Sequence, residues 1–375
     1  MKAVAVFPAS REVKLIDQKE PFITQPNQVK LRILDVGICG TDQEICSFEY
    51  GTPPPGSAYL IIGHEALGEV VEIGGAVTNL KPGDPVVPTV RRPCPHARCR
   101  SCRAGHQDFC ETGDFTERGI KEAHGFLTEY VVDEAQYLHP VPSHLREIGV
   151  LVEPLTIAEK AEYQLYALTQ RRPPWLDPTV AERSQGRGHR ALVLGAGPIG
   201  LLGAMALRTA EFETFIYSRQ QMPDPRIEVA HAIGATYLSS QDVPTSQLEA
   251  RIGPIDLVYE AAGHSLLALE VLHALGPNGI FVLTGVPGRQ ALIQADLATL
   301  FREMVLKNQV VLGTVNAGPH DFDAAIADLE VFNQRWPETV HALLAERTPI
   351  EQAVTCILER SSGIKSVISL PSRHR

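Results

Sequence analysis

Long apolar runs are missing from this 375-residue sequence. No stretch reaches the roughly 18 residues that a membrane-spanning helix needs, so a transmembrane protein is not expected. A basic excess is missing too. Lys and Arg total 34 against 44 Asp and Glu, a net charge of −10, which excludes nucleic acid and anionic membrane surfaces as expected partners. The N-terminus, MKAVAVFPASREVKLID, lacks an extended apolar core and a small-residue cleavage site, and so reads as a first strand rather than a signal peptide. Cysteine is sparse: there are seven, an odd number that cannot pair completely. Four of them crowd between positions 94 and 110, which favours metal over disulfides and a cytoplasmic setting. Internal repeats and low-complexity tracts are absent. What remains is 44% hydrophobic, enough for a sizeable core, at a length that suggests roughly two domains.

Residues 1–150 are rich in short β-type runs broken by Gly and Pro, such as Val29–Val36 and Gly68–Ile73, and predict a β-rich, barrel-like domain. From Glu153 the apolar residues Leu155, Ala158, Ala161, Leu165 and Leu168 fall at helical spacing, predicting a helix over 153–170. Residues 171–190 are polar, basic and Pro-containing, and read as a surface excursion. Strands and helices then alternate. Strands are expected at Ala191–Leu194, Thr214–Tyr217, Asp256–Tyr259, Gly279–Leu283 and Val310–Leu312, and helices at Ile199–Thr209 and Arg226–Ile233. This repetition predicts an α/β, doubly wound parallel sheet with helices on both faces. The tail from about Thr314 no longer fits the repeat and is a candidate to rejoin the first domain.

ALVLGAGPIGLLGAMAL places Gly195, Gly197 and Gly200 as G-x-G-x-x-G between an apolar strand and an apolar helix. The first Gly permits a tight turn, the second lets a pyrophosphate approach, and the third lets helix and strand pack closely. The helix N-terminus behind Ala196, Pro198 and Ile199 supplies amide donors. At the end of the next strand, FIYSRQQ, no acid appears before Asp224. Ser218 and Arg219 occupy the place where an acid would bind the ribose hydroxyls of NAD. A guanidinium suits a 2′-phosphate, so NADP is expected to be preferred, with NAD accepted.

Two metal sites suggest themselves. Cys94, Cys99, Cys102 and Cys110 form C-x4-C-x2-C-x7-C, a spacing suited to a closed, tetrahedral structural zinc. Cys39 in GICGTD, His64 and Glu65 in IIGHEALGEVVEIG, and Glu153 in LVEPL are scattered donors. Taken singly they are ambiguous, since a lone Cys is more often a small buried hydrophobe. A catalytic zinc needs three protein ligands and an open position, where it acts as a Lewis acid on a substrate oxygen.

Together these segments identify a family likeness. Gly63–Val77 fits G-H-E-x2-G-x5-G-x2-V, and it stands in order with CGTD, the four-cysteine loop and the GxGPxG turn. The chain resembles the zinc-containing medium-chain dehydrogenase/reductase family along its whole length. Within it, the sequence is most similar to the NADP-using glucose (aldose) 1-dehydrogenases, through GHQDFCETG (Gly105–Gly113), ERGI (Glu117–Ile120), LVEPLTIAEKA (Leu151–Ala161) and GTVNAG (Gly313–Gly318). The resemblance implies a GroES-like catalytic domain made of 1–158 and 314–375 and a Rossmann domain of 159–313. It implies Cys39, His64 and Glu153 as catalytic zinc ligands, with Glu65 beside the metal and exchanging with a ligand or water. It implies Thr41 as the hydroxyl that relays the substrate proton, and Asp42 as the support of the second ring nitrogen of His64. Glu117 and Asn316 match sugar-contacting positions, and Thr41 and Glu153 face the same substrate. Cofactor contacts extend to Thr284, Gly285 and Val286 and to Thr314, Val315 and Asn316. Two zinc ions per chain and a homo-oligomer, tetramer or dimer, are implied as well.

Three departures stand out. The first gap of the cysteine loop is four residues rather than two. Val90 stands where relatives can carry a sugar-binding Asn, and Ile157 where some carry Asp. Loss of two polar contacts is expected to alter which sugar is accepted. The expected reaction is oxidation of an aldose at C1 to the lactone, with hydride passing to NADP. The alternatives are a zinc dehydrogenase of another polyol, alcohol or amino-alcohol, and a non-catalytic NADP-binding sensor. Cys46, Cys356, His124 and His264 read as packing or surface residues, and Lys365 is no more than a candidate for a cofactor-phosphate contact.

Overall fold

The strand Gln28–Gly37 organises the first half of the molecule. Its inward residues Val29, Leu31 and Ile33 are buried while Lys30, Arg32 and Leu34 are half-buried, the two-residue alternation of a strand with one face on a core. It pairs antiparallel with Glu65–Ile73 on one side and with Lys365–Ser369 on the other. The computed structural model describes residues 1–169, 184–288, 292–359 and 363–370. The expected helix end at Gln170 and the 171–183 part of the expected surface excursion lie outside the described residues.

The chain divides into two compact units: Met1–Thr156 with Asn316–Glu330 and Leu343–Arg375, and Ile157–Val315 with Val331–Ala342. In the first unit a curled seven-stranded sheet runs from Leu138–Pro140 through Pro85–Pro88, Glu65–Ile73, Gln28–Gly37 and Lys365–Ser369 to Leu344–Pro349, with Tyr130–Glu134 also paired to Gln28–Gly37. The late strands Leu344–Pro349 and Lys365–Ser369 show the tail completing the sheet that the N-terminal residues begin. A small sheet of Arg91–Arg92, Thr116–Arg118 and Glu122–Ala123 sets Arg91 directly opposite Glu117.

In the second unit six strands, all parallel, lie in the order Thr236–Ser239, Glu213–Ser218, Arg190–Leu194, Ile255–Glu260, Leu275–Leu283 and Val310–Gly313. With strands numbered along the chain this is 3-2-1-4-5-6, the dinucleotide-binding arrangement whose ligand crevice lies at the carboxyl end of the first strand. Leu192, Leu194, Val258, Phe281, Val271 and Leu248 are fully buried in its core. The helices Pro198–Thr209 and Pro225–Ala232 fall within a residue of expectation at each end. The strand Thr236–Ser239 and the helices Ser265–Leu272 and Leu297–Leu306 were not anticipated. Among the described residues no helix is long and apolar enough to cross a membrane.

Candidate active site

Strand register assembles the first donor group. Gly37 pairs with Glu65, so the residue two beyond one strand, Cys39, comes beside His64 just ahead of the other. Ligand atoms of Cys39, His64 and Glu65 all lie within 4.8 Å of one another. Cys39 caps the helix Gly40–Cys46, whose first turn carries Thr41 and Asp42. Asp42 is fully buried, accepts from the backbone N–H of Cys39 at 2.9 Å and of Gly63 at 3.2 Å, and faces His64 Nδ1 at 3.5 Å. Burial works against its charge, but His64 and the Cys39 amide hold the Asp42 carboxyl below the usual range. Asp42 thus ties the two donor segments together. Glu153, in the first turn of the helix Val152–Thr169, stands outside the 4.8 Å group yet feels the charges of His64, Glu65 and Lys365. Burial pushes its carboxyl up to about 7, against the pull of His64.

Lys365, in the sequence no more than a candidate for a cofactor-phosphate contact, stands in this group. Its ammonium faces Glu65 and forms an ion pair with it, and both side chains are buried. Burial opposes the Lys365 charge, but Glu65 and the neighbouring acids raise its pKa. Gly37 explains how the pair fits: a Cβ there would lie 2.2 Å from Glu65 Oε2 and 2.9 Å from Lys365 Cε. A thiol, an imidazole and a carboxylate converging in a buried spot, with a fixed carboxylate behind the imidazole, fit a zinc ion.

The second donor group is Cys94, Cys99, Cys102 and Cys110, again with all ligand atoms within 4.8 Å of one another. Amides of Cys102 and Glu111 lower the Cys99 pKa. Burial raises that of Cys110, but the Thr112 hydroxyl and the amides of Thr112 and Gly113 prevail and bring it down to about 6. Burial pushes Cys102 up to about 12. Donors aimed at sulfur favour thiolate, the form that binds metal, so this set also fits zinc. His96, in the widened gap, turns to Asp114 and is not part of the cluster.

The structure joins the two residues matched to sugar contacts. Asn316 Nδ2 donates to Glu117 Oε1 at 2.7 Å. Arg91, unremarked in the sequence, donates to the same oxygen from Nε at 3.0 Å and lies 2.9 Å from it through Nη2. Val90 is buried with its carbonyl bonded to Arg118 N, and Ile157 is half-buried.

In the second unit the three glycines differ as their roles require. Gly195 has φ +99°, a Cβ on Gly200 would lie 2.1 Å from the Gly195 carbonyl oxygen, and a Cβ on Gly197 would meet nothing within 4 Å. Pro198 opens the helix, with Gly197 as its cap and Ile199 in its first turn. A groove of about 790 Å³ is lined by Gly195, Ala196, Gly197, Ser218, Arg219 and Arg226, among others. Arg219 is exposed, whereas Asp224, the first acid after the strand, caps the next helix by accepting from Arg226 N and pairs with Arg226 at 3.1 Å. His264 caps the helix Ser265–Leu272 and lines the same groove. Glu260, also missed, accepts from the amides of Ala262 at 2.9 Å and Gly263 at 2.8 Å, and its own carbonyl accepts from the Thr284 hydroxyl. That leaves Gly285 against Gly263, where a Cβ would sit 2.3 Å from the Gly263 nitrogen, with exposed Val286 next in the chain. Thr314 N donates to Leu283 O, and Lys160 Nζ to Val315 O.

Residues 25–143 match the family described as alcohol dehydrogenase GroES-like domain, and residues 146–370 the one described as glucose dehydrogenase C-terminus. The sequence is 35% identical to the glucose 1-dehydrogenase of Methanocella arvoryzae over 99% of each chain. It is 37% identical to that of Thermoproteus tenax, again over 99% of each. The solved structure of Haloferax mediterranei glucose dehydrogenase in complex with NADP, zinc and gluconolactone matches with a TM-score of 0.87 at 32% identity, covering 99% of this chain and all of that one.

Proposed function

The chain belongs to the zinc-containing medium-chain dehydrogenases, in the company of the glucose 1-dehydrogenases, and from that premise we propose that it oxidises glucose or a closely related aldose at C1 to the lactone, with NADP as preferred hydride acceptor and NAD as a poorer one. The observation that carries this reading is that one compact unit contains both the Cys39–His64–Glu65 donor group and the hydrogen-bonded Glu117–Asn316 pair. A simple alcohol has no use for the second.

Cys39, His64 and Glu153 would hold the catalytic zinc, with Glu65 close enough to replace a ligand, and the four-cysteine loop would hold a structural zinc. When bound, zinc supplies a Lewis acid for the C1 oxygen, and NADP supplies the hydride acceptor. The chain's own residues do the rest. Asp42 stands 3.5 Å from His64 Nδ1 and would fix that side of the ring, leaving Nε2 for metal. Thr41 Oγ1 takes the proton of the C1 hydroxyl and passes it on towards solvent. Glu117 and Asn316 hold sugar hydroxyls so that C1 is fixed, the source of much of the rate advantage of an oriented reactant. Gly195, Gly197 and Gly200 receive the pyrophosphate, Ser218 and Arg219 the 2′-phosphate. Thr284, Gly285 and Val286, with Thr314, Val315 and Asn316, would border the nicotinamide.

We further read the protein as a cytoplasmic homo-oligomer, a tetramer or dimer. Four thiols gathered as ligands support the compartment. Exposed Phe301, Val305 and Leu306 on one helix, next to the edge strand Val310–Gly313, support association. A panel of aldoses, polyols, ethanol and threonine with NADP and NAD, followed by absorbance of the reduced cofactor, tests the activity. Turnover of ethanol or threonine but no aldose would favour the alternative reading, to which Val90 and Ile157 lend some support. No turnover of any would favour a sensor.

A further inference from the structure

Oxygen Oε1 of Glu117 accepts hydrogen bonds from Arg91 Nε at 3.0 Å and Asn316 Nδ2 at 2.7 Å, and Arg91 Nη2 stands 2.9 Å from it in the same ion pair. Among the described residues Oε2 accepts none. We propose that Arg91 is a positioning residue for the sugar site, one that fills Oε1 and thereby presents Oε2 as a fixed acceptor for a single substrate hydroxyl. The assignment rests on the aldose reading above and deepens it, because it names what sets the choice among sugars.

Arg91 is built to hold still. The register of the small sheet places it opposite Glu117. Its Nη1 donates to the Asp108 carbonyl at 3.1 Å, and its guanidinium carbon stands 3.7 Å from the centroid of the Phe115 ring. Only 9% of its side chain and 6% of that of Glu117 reach solvent, so neither can turn away without leaving a buried charge. The planar fork is what allows two nitrogens to meet one carboxylate while a third holds a carbonyl; a Lys ammonium cannot reproduce that geometry. An ionised carboxylate only accepts, so the substrate group opposite Oε2 must donate. A sugar lacking that hydroxyl would leave Oε2 without a partner, which is a far stronger means of rejection than an apolar pocket offers. Val90, beside Arg91, contributes no polar group, which concentrates the discrimination on Glu117.

The test uses zinc-loaded holoenzyme with NADP, glucose and the 2-, 3-, 4- and 6-deoxyglucoses, in wild type, Arg91→Lys and Phe115→Leu. Wild type should reject one deoxyglucose about a hundredfold more strongly than the other three. Arg91→Lys should raise the glucose KM about tenfold or more with kcat within about threefold, and should reduce that rejection to about tenfold or less. Phe115 is half-buried, so its replacement is a milder perturbation that keeps the fold if Arg91→Lys does not. It should give a smaller change in the same direction. A purely structural Arg91 would lower stability and leave the deoxyglucose pattern as it was. Unchanged KM and unchanged pattern in a folded Arg91→Lys, or in Phe115→Leu where Arg91→Lys is unfolded, overturns the assignment. A wild type that turns over no aldose overturns the aldose reading and this assignment with it.

Discussion

Asn316 and Glu117 are 199 positions apart in the chain and 2.7 Å apart in space, joined by an Nδ2–Oε1 hydrogen bond. Asn316 holds a left-handed backbone (φ +61°) and turns its own Oδ1 to the Ala317 amide, so its orientation is fixed from both ends. Asn316→Ala should raise the KM for the aldose about tenfold while changing that for a small alcohol less than twofold, the loss of roughly one hydrogen bond. Steady-state kinetics on both substrates checks this, and an equal change for both would remove Asn316 from the sugar site.

Lys365 and Glu65 form a pair with almost no access to solvent. Removing one charge strands the other. Lys365→Met should cost about 3–5 kcal/mol in unfolding free energy, and adding Glu65→Gln should recover about half of it. Denaturant unfolding of the zinc-saturated proteins measures both. A Lys365→Met protein as stable as wild type would mean the pair is not formed.

Arg219 has no ion pair among the described residues and lines the groove beside Ser218, while Asp224 is committed to Arg226. Arg219→Ala should therefore raise the KM for NADP by about ten- to a hundredfold and leave that for NAD within about threefold. A parallel rise for both cofactors would assign Arg219 to general binding rather than to the 2′-phosphate.

The structural cluster predicts a stability effect. Cys102→Ser should remove one zinc per chain and lower the melting temperature sharply, because metal bound only by the folded state contributes its binding energy to folding. Metal analysis with a thermal melt checks it. A variant that keeps both its zinc and its melting temperature would show that this sulfur is not a ligand.

Features that depend on neighbours in sequence were legible beforehand. The turn of Gly195, Gly197 and Gly200 and the four-cysteine loop are local, and each is found where its spacing put it. Cys39 and His64 needed the family likeness, since nothing in either segment says that Gly37 will pair with Glu65. Arg91 escaped, and the partner of Lys365 was not legible, because their significance comes from register across strands. The available clue was a charged residue at the edge of an apolar strand, as in KSVIS, which more often means a solvated end. SLLALEVL (Ser265–Leu272) is apolar at nearly every position and shows no helical period, and Thr236–Ser239 (TYLS) has polar residues at both ends, so no apolar run marks it as a strand. Glu260 acts through loop amides, whose positions no side-chain pattern encodes.

Aldose oxidation by this protein depends on zinc held by Cys39, His64 and their partners. The most direct test compares wild type with Cys39→Ala for zinc per chain and for glucose-dependent NADPH formation, with circular dichroism as the control for folding. About two zinc ions per chain should fall to about one, with a loss of at least about a thousandfold in rate and an unchanged spectrum. A folded Cys39→Ala protein that keeps two zinc ions, or that still makes NADPH at a comparable rate, would contradict this dependence.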